Sequence, residues 1–361
     1  MLVHICCAVD SHFFLQKLQQ LYPNETLIGF FYDPNIHPYS EYQLRLLDVQ
    51  RSCKMLGFEL IEGAYDYEGW IEAVRGYENE PEKGTRCDIC FDNRLETTAL
   101  QAVKIGEKSI TTTLLTSPKK SIEQLKIVGD AIEKNYGVLF VAPDFRKDGG
   151  THEQFAMAKE EKLYHQDYCG CIYALTKQRD QQKRLADELF SPISKQVQPE
   201  SIEERITLYK KRVALEDKGE DYQIVREKFL NYRLLSAWVL QNGEVLPSYF
   251  LPYSTLKRKF TKFKIQSQIK DVYFANRESI RIVSLAVFNK LLESNYINIQ
   301  DIIDNPPSFD DELSIRNKII NNLYSLSPII VLKDIDQNAN FKLHLDAQTY
   351  EDTREILVTF S

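Results

Sequence analysis

The chain has 361 residues, of which 43% are hydrophobic and 27% charged, and it carries a net charge of −7. That is enough for two or three packed domains at roughly 100–200 residues each. The acidic balance excludes a globally basic nucleic-acid binder, although a local basic patch still acts on any phosphate within its reach. No apolar run approaches the roughly 20 residues needed to cross a bilayer. The start, Met-Leu-Val-His-Ile-Cys-Cys, lacks the basic region and cleavage site of a secretory leader. A cytoplasmic protein with no membrane association is expected, and its thiols should stay reduced.

In chain order, Leu2 to Cys7 reads as a short buried strand, and Phe13, Leu15, Leu18 and Leu21 give an apolar helical face ending near Pro23. Leu27 to Tyr32 is a second strand of the fully buried kind. Asp33 to Pro38 is a loop, and a helix with Ser40 at its N-cap runs to about Leu56, with Gly57 past its end. Phe58 to Ile61 is a third strand, Trp70 lies on a short helix, and Arg86 to about Val103 is helical. Ser109 to Leu115 is a threonine-rich strand, a turn covers Thr116 to Lys120, and Ser121 caps the next helix. A strand at Gly137–Ala142, a Gly-rich loop from Pro143 and helices at His152–Lys162 and from Tyr168 to about Leu189 complete this part. Alternating strands and helices predict an α/β fold, a mainly parallel sheet with helices on both faces, whose strand order is not readable.

Around Ser191 to Glu200 the composition turns polar, which places a domain boundary there: residues 1–195, then 200–361. The second part reads as a separate α+β domain. Ile202–Asp217 and Tyr222–Tyr232 read as charged helices, and Asn242-Gly243 between Leu234–Leu240 and Val245–Leu251 signals a hairpin. Late strands are expected at Ile329–Ile335, Phe341–Leu345 and Ile356–Phe360.

All seven cysteines lie in the first half, six of them as pairs: Cys6-Cys7, Cys87-Asp-Ile-Cys90 and Cys169-Gly-Cys171. In a reducing compartment such pairs serve metals or redox chemistry more often than disulfides. A glycine between Cys169 and Cys171 lets the backbone pass a bulky inorganic group. Cys53 shares an apolar helical stripe with Leu46, Val49 and Leu56 and reads as core. Six paired thiols plus Asp10 make seven donors. A cubane iron–sulfur cluster usually takes four thiolates, and three remaining donors suit a second metal with an open position; two structural zinc sites compete with this reading. The Cys6–Ser11 stretch also overlays on the Ser-Gly-Gly-x-Asp-Ser phosphate loop of ATP pyrophosphatases. Here cysteines replace a serine and a glycine, so the loop favours a cation over a phosphate.

Six ordered stretches resemble the cobalamin-independent epoxyqueuosine reductases, the QueH type, over roughly residues 1–190: His4–Asp10, Tyr32–Pro38, Cys87–Leu95, Thr113–Lys119, Asp144–Gly150 and Gln166–Cys171. The resemblance implies an adenine-nucleotide-hydrolase-like (HUP) fold, a [4Fe–4S] cluster and a nearby second iron ion. It also implies an oxidoreductase of queuosine biosynthesis, which removes the epoxide oxygen of epoxyqueuosine at the wobble position of tRNA with electrons from an external donor. Cys6, Cys7, Asp10, Cys87, Cys90, Cys169 and Cys171 are then the metal ligands, not divided between the two sites. Asp10, Asp144, Tyr168 and His37 are candidates for catalysis or proton supply, and His37, Arg94, Lys119 and Arg146 for substrate contacts. Two alternatives stay open: an ATP-pyrophosphatase-type tRNA-modifying transferase and a zinc-stabilised RNA-binding module. In the second domain the basic and aromatic run Lys257–Lys264 points to a hold on tRNA.

Overall fold

The computed structural model describes residues 1–117, 121–322 and 324–359. It contains two units. Residues 1–189 and 206–220 form the first, and residues 190–205 and 221–361 the second.

In the first unit, strands β1 (Leu2–Ile5), β2 (Ile28–Phe31), β3 (Glu59–Glu62), β4 (Ser109–Thr112) and β5 (Leu139–Phe140) form one parallel sheet in the order β3-β2-β1-β4-β5. β1 is wholly buried, as a central parallel strand covered on both faces must be. Helix α1 (Ala8–Leu21) follows β1 directly, and α2 (Tyr39–Leu56) joins β2 to β3. α2 ends at Gly57, whose φ of 74° closes the helix in the left-handed region. After α3 (Tyr67–Ala73), α4 (Thr85–Ile105) packs on β1 and β4. α5 (Ile122–Tyr136) takes Ser121 as its N-cap, the hydroxyl accepting from the Gln124 amide at 3.2 Å. α6 (Gly150–Glu160) and α7 (Ile172–Gln182) complete the α/β layers. The threonine-rich strand is shorter than expected, because Thr113–Leu115 winds into a 3₁₀ turn.

Helix α8 (Ile202–Lys218) gives most of its length to the first unit. There Arg212 donates to Asp48 at 2.5 Å and to the Lys162 carbonyl at 2.7 Å, while Arg51 donates twice to Glu216 at 2.8 Å. A single cut near residue 195–200 therefore does not separate the units; residues 206–220 return to the first.

In the second unit, β7 (Glu244–Leu246), β6 (Tyr222–Gln241), β14 (Phe341–Thr359) and β9 (Phe260–Phe263) form an antiparallel sheet in that order. β6 includes residues 222–232, which the sequence reading made helical. Its charges face opposite charges across the ladder, Arg226 against Glu355 and Glu227 against Arg354, so the helix-like polarity belongs to an exposed ribbon. The Asn242-Gly243 turn is as expected, with φ of 51° and 100°. A second sheet has the order β10 (Ile265–Ile269), β11 (Val272–Ala275), β12 (Arg281–Ser284), β13 (Ile329–Leu332), β8 (Ser248–Phe250). Val239, Leu343 and Phe263 of the first sheet meet Ile282 and Ile330 of the second in one core. The other face of the second sheet packs Val283 and Val331 on α9 (Leu285–Leu292), α10 (Ile299–Asp304) and α11 (Phe309–Ile320) through Phe288, Ile302 and Ile315. Among the described residues no helix is long and apolar enough to cross a membrane.

Candidate metal centre

The strand order reverses between β1 and β4, and in such sheets the crevice beyond the strand ends at that point is where ligands bind. Cys6 and Cys7 occupy the end of β1. Cys7 is the N-cap of α1 in extended backbone, and Asp10 falls in the helix's first turn, where a carboxylate is favoured by the amide dipoles. The sulfurs of Cys6 and Cys7 and a carboxylate oxygen of Asp10 all lie within 4.8 Å of one another. Cys6 Sγ is 3.9 Å from Cys7 Sγ, 3.6 Å from Asp10 Oδ2 and 3.5 Å from the Thr113 hydroxyl. Gln154 on α6 donates to Asp10 Oδ1 at 2.7 Å and so orients it.

The other two pairs arrive from α4 and from the loop before α7. Cys87 and Cys90 lie in the opening turns of α4, and the Lys83 amide points at Cys87 Sγ from 3.3 Å. Cys90 and Cys171 pack with Trp70 in a small buried cluster that Cys169 also touches. The loop of Cys169 is pinned from α2: Arg45 donates to the carbonyls of Tyr168 and Cys169 at 3.1 and 3.2 Å and is itself held by Glu41 at 2.7 Å. Gly170, at φ 108°, lies so close to Ile36 that a Cβ would sit 2.8 Å from that side chain. Its φ and the approach of Ile36 each require a glycine there.

Cys6, Asp10, Cys87, Cys90, Cys169 and Cys171 line one cavity of about 370 Å³, with Trp70, Arg86, Arg94 and Tyr168 also on its wall. The crowding of donors and their burial act on the thiols. Cys7 is pushed well above the usual thiol value by its hydrogen bond with Cys6, by burial and by the charge of Asp10. Burial and then Cys169 push Cys171 up to about 12, opposed by Arg86. Trp70 Nε1, Asn35 Oδ1 and Gln166 Oε1 on the same wall are buried without a partner. Such orphans call for a polar occupant. Thiolates, a carboxylate and unpaired polar atoms around a buried space fit a metal ion and an iron–sulfur cluster.

The remaining candidates divide. Arg94 is buried and paired with Asp33 in a buried ion pair, and its Nε lies 3.3 Å from His4 Nε2. It is held as a fixed charge on the cavity wall beside Cys90 and Cys6. Burial lowers the His4 pKa well below its usual value, and Arg94 lowers it further, so His4 is neutral with Nδ1 on the Thr112 hydroxyl at 2.8 Å. Tyr168 donates its hydroxyl hydrogen to the His37 carbonyl at 2.8 Å, and the His37 amide donates to Gly170 at 2.9 Å. His37 stacks on Tyr67 at 5.0 Å and shapes the cysteine loop instead of lining the cavity. Asp144 accepts from the Arg146 amide at 3.2 Å and faces the Arg146 guanidinium at 3.6 Å; Arg146 also reaches the Ser117 carbonyl at 3.2 Å. Neither Asp144 nor Arg146 lines the cavity. Lys119 lies outside the described residues.

Residue reasoning did not find Gln154, Trp70, Arg86 or His165. Arg86 is buried, donates to the carbonyls of Tyr77, Glu78 and Glu80 at 2.8–3.2 Å, and supports the wall beside Cys87. His165 is exposed at the cavity wall, edge-on to Phe155. Its one sequence signal is adjacency to the Gln166–Cys171 stretch.

Comparison with known proteins accords with this arrangement. The profile of the family described as epoxyqueuosine reductase QueH matches residues 1–177. An epoxyqueuosine reductase QueH of Helicobacter pylori is 39% identical over 356 residues, covering 94% of this chain and 96% of its own. That of Thermotoga maritima is 36% identical over 188 residues, 51% of this chain and 95% of its own, so its match is confined to about half of this chain. Among solved structures, the U34-tRNA thiolase NcsA of Methanococcus maripaludis aligns over 59% of this chain and 73% of its own at TM-score 0.34 and 14% identity, too loose a likeness to argue from. Matched along nearly its whole length by one relative and along its cysteine-bearing part by the family profile, this chain belongs to the epoxyqueuosine reductase family QueH.

Proposed function

We propose that the protein reduces epoxyqueuosine in tRNA to queuosine, with two electrons and two protons taking the epoxide oxygen away as water. The observation that carries this reading is one cavity lined by Cys6, Asp10, Cys87, Cys90, Cys169 and Cys171, with Cys7 beside Cys6 and Asp10. Cys87, Cys90, Cys169 and Cys171 are the four thiolates for a [4Fe–4S] cluster, and Cys6, Cys7 and Asp10 the donors for a second iron. Held there, a cluster would supply electrons one at a time from an external donor, and an iron with an open position would supply a Lewis acid for the epoxide oxygen. The chain does the rest. The cavity is of a size that takes a small-molecule group, which suits a modified base turned out of its stack. Gln154 fixes the orientation of Asp10, and Arg94, held by Asp33, places positive charge where an alkoxide develops. His165 is the imidazole at the cavity wall and relays the two protons in turn from solvent, to which it is exposed, since the hydroxyl of Tyr168 is committed to His37. The second unit grips the tRNA. A tRNA substrate also supports a cytoplasmic location.

The test is anaerobic reconstitution with iron and sulfide, followed by turnover of tRNA carrying epoxyqueuosine with a chemical reductant. A brown protein that bleaches with dithionite and forms queuosine is expected. Asp10→Ala should lower turnover at least tenfold while leaving cluster absorbance within about a fifth of the parent. Colourless protein holding stoichiometric zinc, with no turnover, would overturn the reading.

A further inference from the structure

The second unit carries a surface that its core does not use. Along β6, β14 and β9 side chains alternate between the two faces. Val239, Leu343 and Phe263 point into the core. Their neighbours point away, and the register lines them up: Trp238 opposite His344 and His344 opposite Phe260, with Leu240, Lys342 and Lys262 forming the next row.

The three rings form one platform. Trp238 and His344 stack at 5.3 Å, and Phe260 lies 4.6 Å from His344 and 5.8 Å from Trp238. Phe260 is 53% exposed, an unusual position for a phenyl ring on a sheet face. Lys342 Nζ stands 5.8 and 5.6 Å from the Trp238 and Phe260 centroids. The acid on this face, Asp346, is answered by Lys259 at 2.5 Å. Beside the platform a groove of about 560 Å³ is lined by Lys262, Lys264, Arg277 and Lys342 together with three asparagines, and no carboxylate is among its lining residues.

We infer that this face binds an unpaired stretch of RNA, its bases stacked on Trp238, Phe260 and His344 and its phosphates drawn along the Lys262–Lys342 groove. Exposed rings give sequence-tolerant stacking to bases free of a duplex, and a groove of uncompensated cations tracks the backbone. The chain as a whole carries a net charge of −7, so this groove departs from the overall balance. The inference rests on the proposed tRNA substrate and gives that partner a place of contact.

The test uses the full chain and unmodified RNA, with no metal loading and no turnover. An eight-nucleotide single strand, the same strand annealed to its complement, and a tRNA transcript are titrated while tryptophan fluorescence is followed. Trp238 is one of two tryptophans, and the other, Trp70, is buried. The single strand should quench the emission, and Trp238→Phe should abolish the quenching. The double variant Lys262→Glu, Lys342→Glu should bind both the single strand and the tRNA at least tenfold more weakly. Its log-affinity against log-salt slope should be shallower by about 1.4, the value for two lost phosphate contacts. Lys262→Ala, Lys342→Ala should show the same change at smaller size and serves where charge reversal lowers the melting midpoint. A double variant that binds the transcript as tightly as the parent, or a duplex that competes as well as the single strand, overturns the inference. Turnover intact with this binding absent leaves the reductase reading standing; binding intact with turnover absent does the reverse.

Discussion

Gly170 shows what one residue does for the centre. Its φ of 108° and the approach of Ile36 leave no room for a Cβ, although the pattern Cys-Gly-Cys alone suggests a different reason for the glycine. Gly170→Ala should destabilise the first unit by about 1–3 kcal/mol, seen as a lower urea midpoint. It should also reduce iron per chain, because Cys169 and Cys171 move with the loop. Glu312 makes a second residue-scale case. Burial pushes its carboxyl up to about 8, against the hydrogen bonds from Tyr249 and Gln196. The folded protein thus keeps a proton that the unfolded chain releases near pH 4.3. Stability from this group is fully present below that value and is lost as pH rises towards about 8. Glu312→Gln should flatten the pH dependence of urea unfolding between pH 5 and 8 and raise stability at pH 9; an unchanged slope would assign the dependence to other groups.

At the scale of elements, local signals carried the first unit well. The Gly57 and Ser121 caps, the β-α alternation and the buried first strand could all be read because each depends on neighbours in sequence. Segment 222–232 misled because its charges find partners more than a hundred residues away, in β14. α8 misled differently: its helicity was legible, but its allegiance is set by Asp48, to which Arg212 is tied. A fragment ending at residue 200 leaves that buried carboxylate with the Tyr164 amide but without its cation, whereas one ending at 220 keeps the ion pair. Removing one partner of a buried pair costs about 3–5 kcal/mol, so the 1–220 fragment should melt well above 1–200. Equal melting temperatures would show that the pair is dispensable.

For the whole molecule, the candidate donors were legible because thiol pairs announce themselves in sequence: five of the six paired cysteines and Asp10 line one cavity, and Cys7 lies beside Cys6 and Asp10. The supports were not legible. Arg45 and Gln154 act across the fold, on partners 123 and 144 residues away, and Arg86 is held by the carbonyls of a turn, Tyr77 to Glu80, whose course no local motif announces. The β6–β14 ribbon has a consequence for how the chain comes into being. Its two strands pair residues roughly 100 to 140 positions apart. During synthesis, which runs N-terminus first, every strand of the first unit's sheet emerges before β6 does, while β6 must wait for its partner β14 until roughly another hundred residues are made. For that interval twenty residues of strand have an open edge, the condition under which chains join one another instead of themselves. Charged side chains on an open strand edge disfavour such joining, and β6 carries Arg226-Glu227-Lys228 in succession.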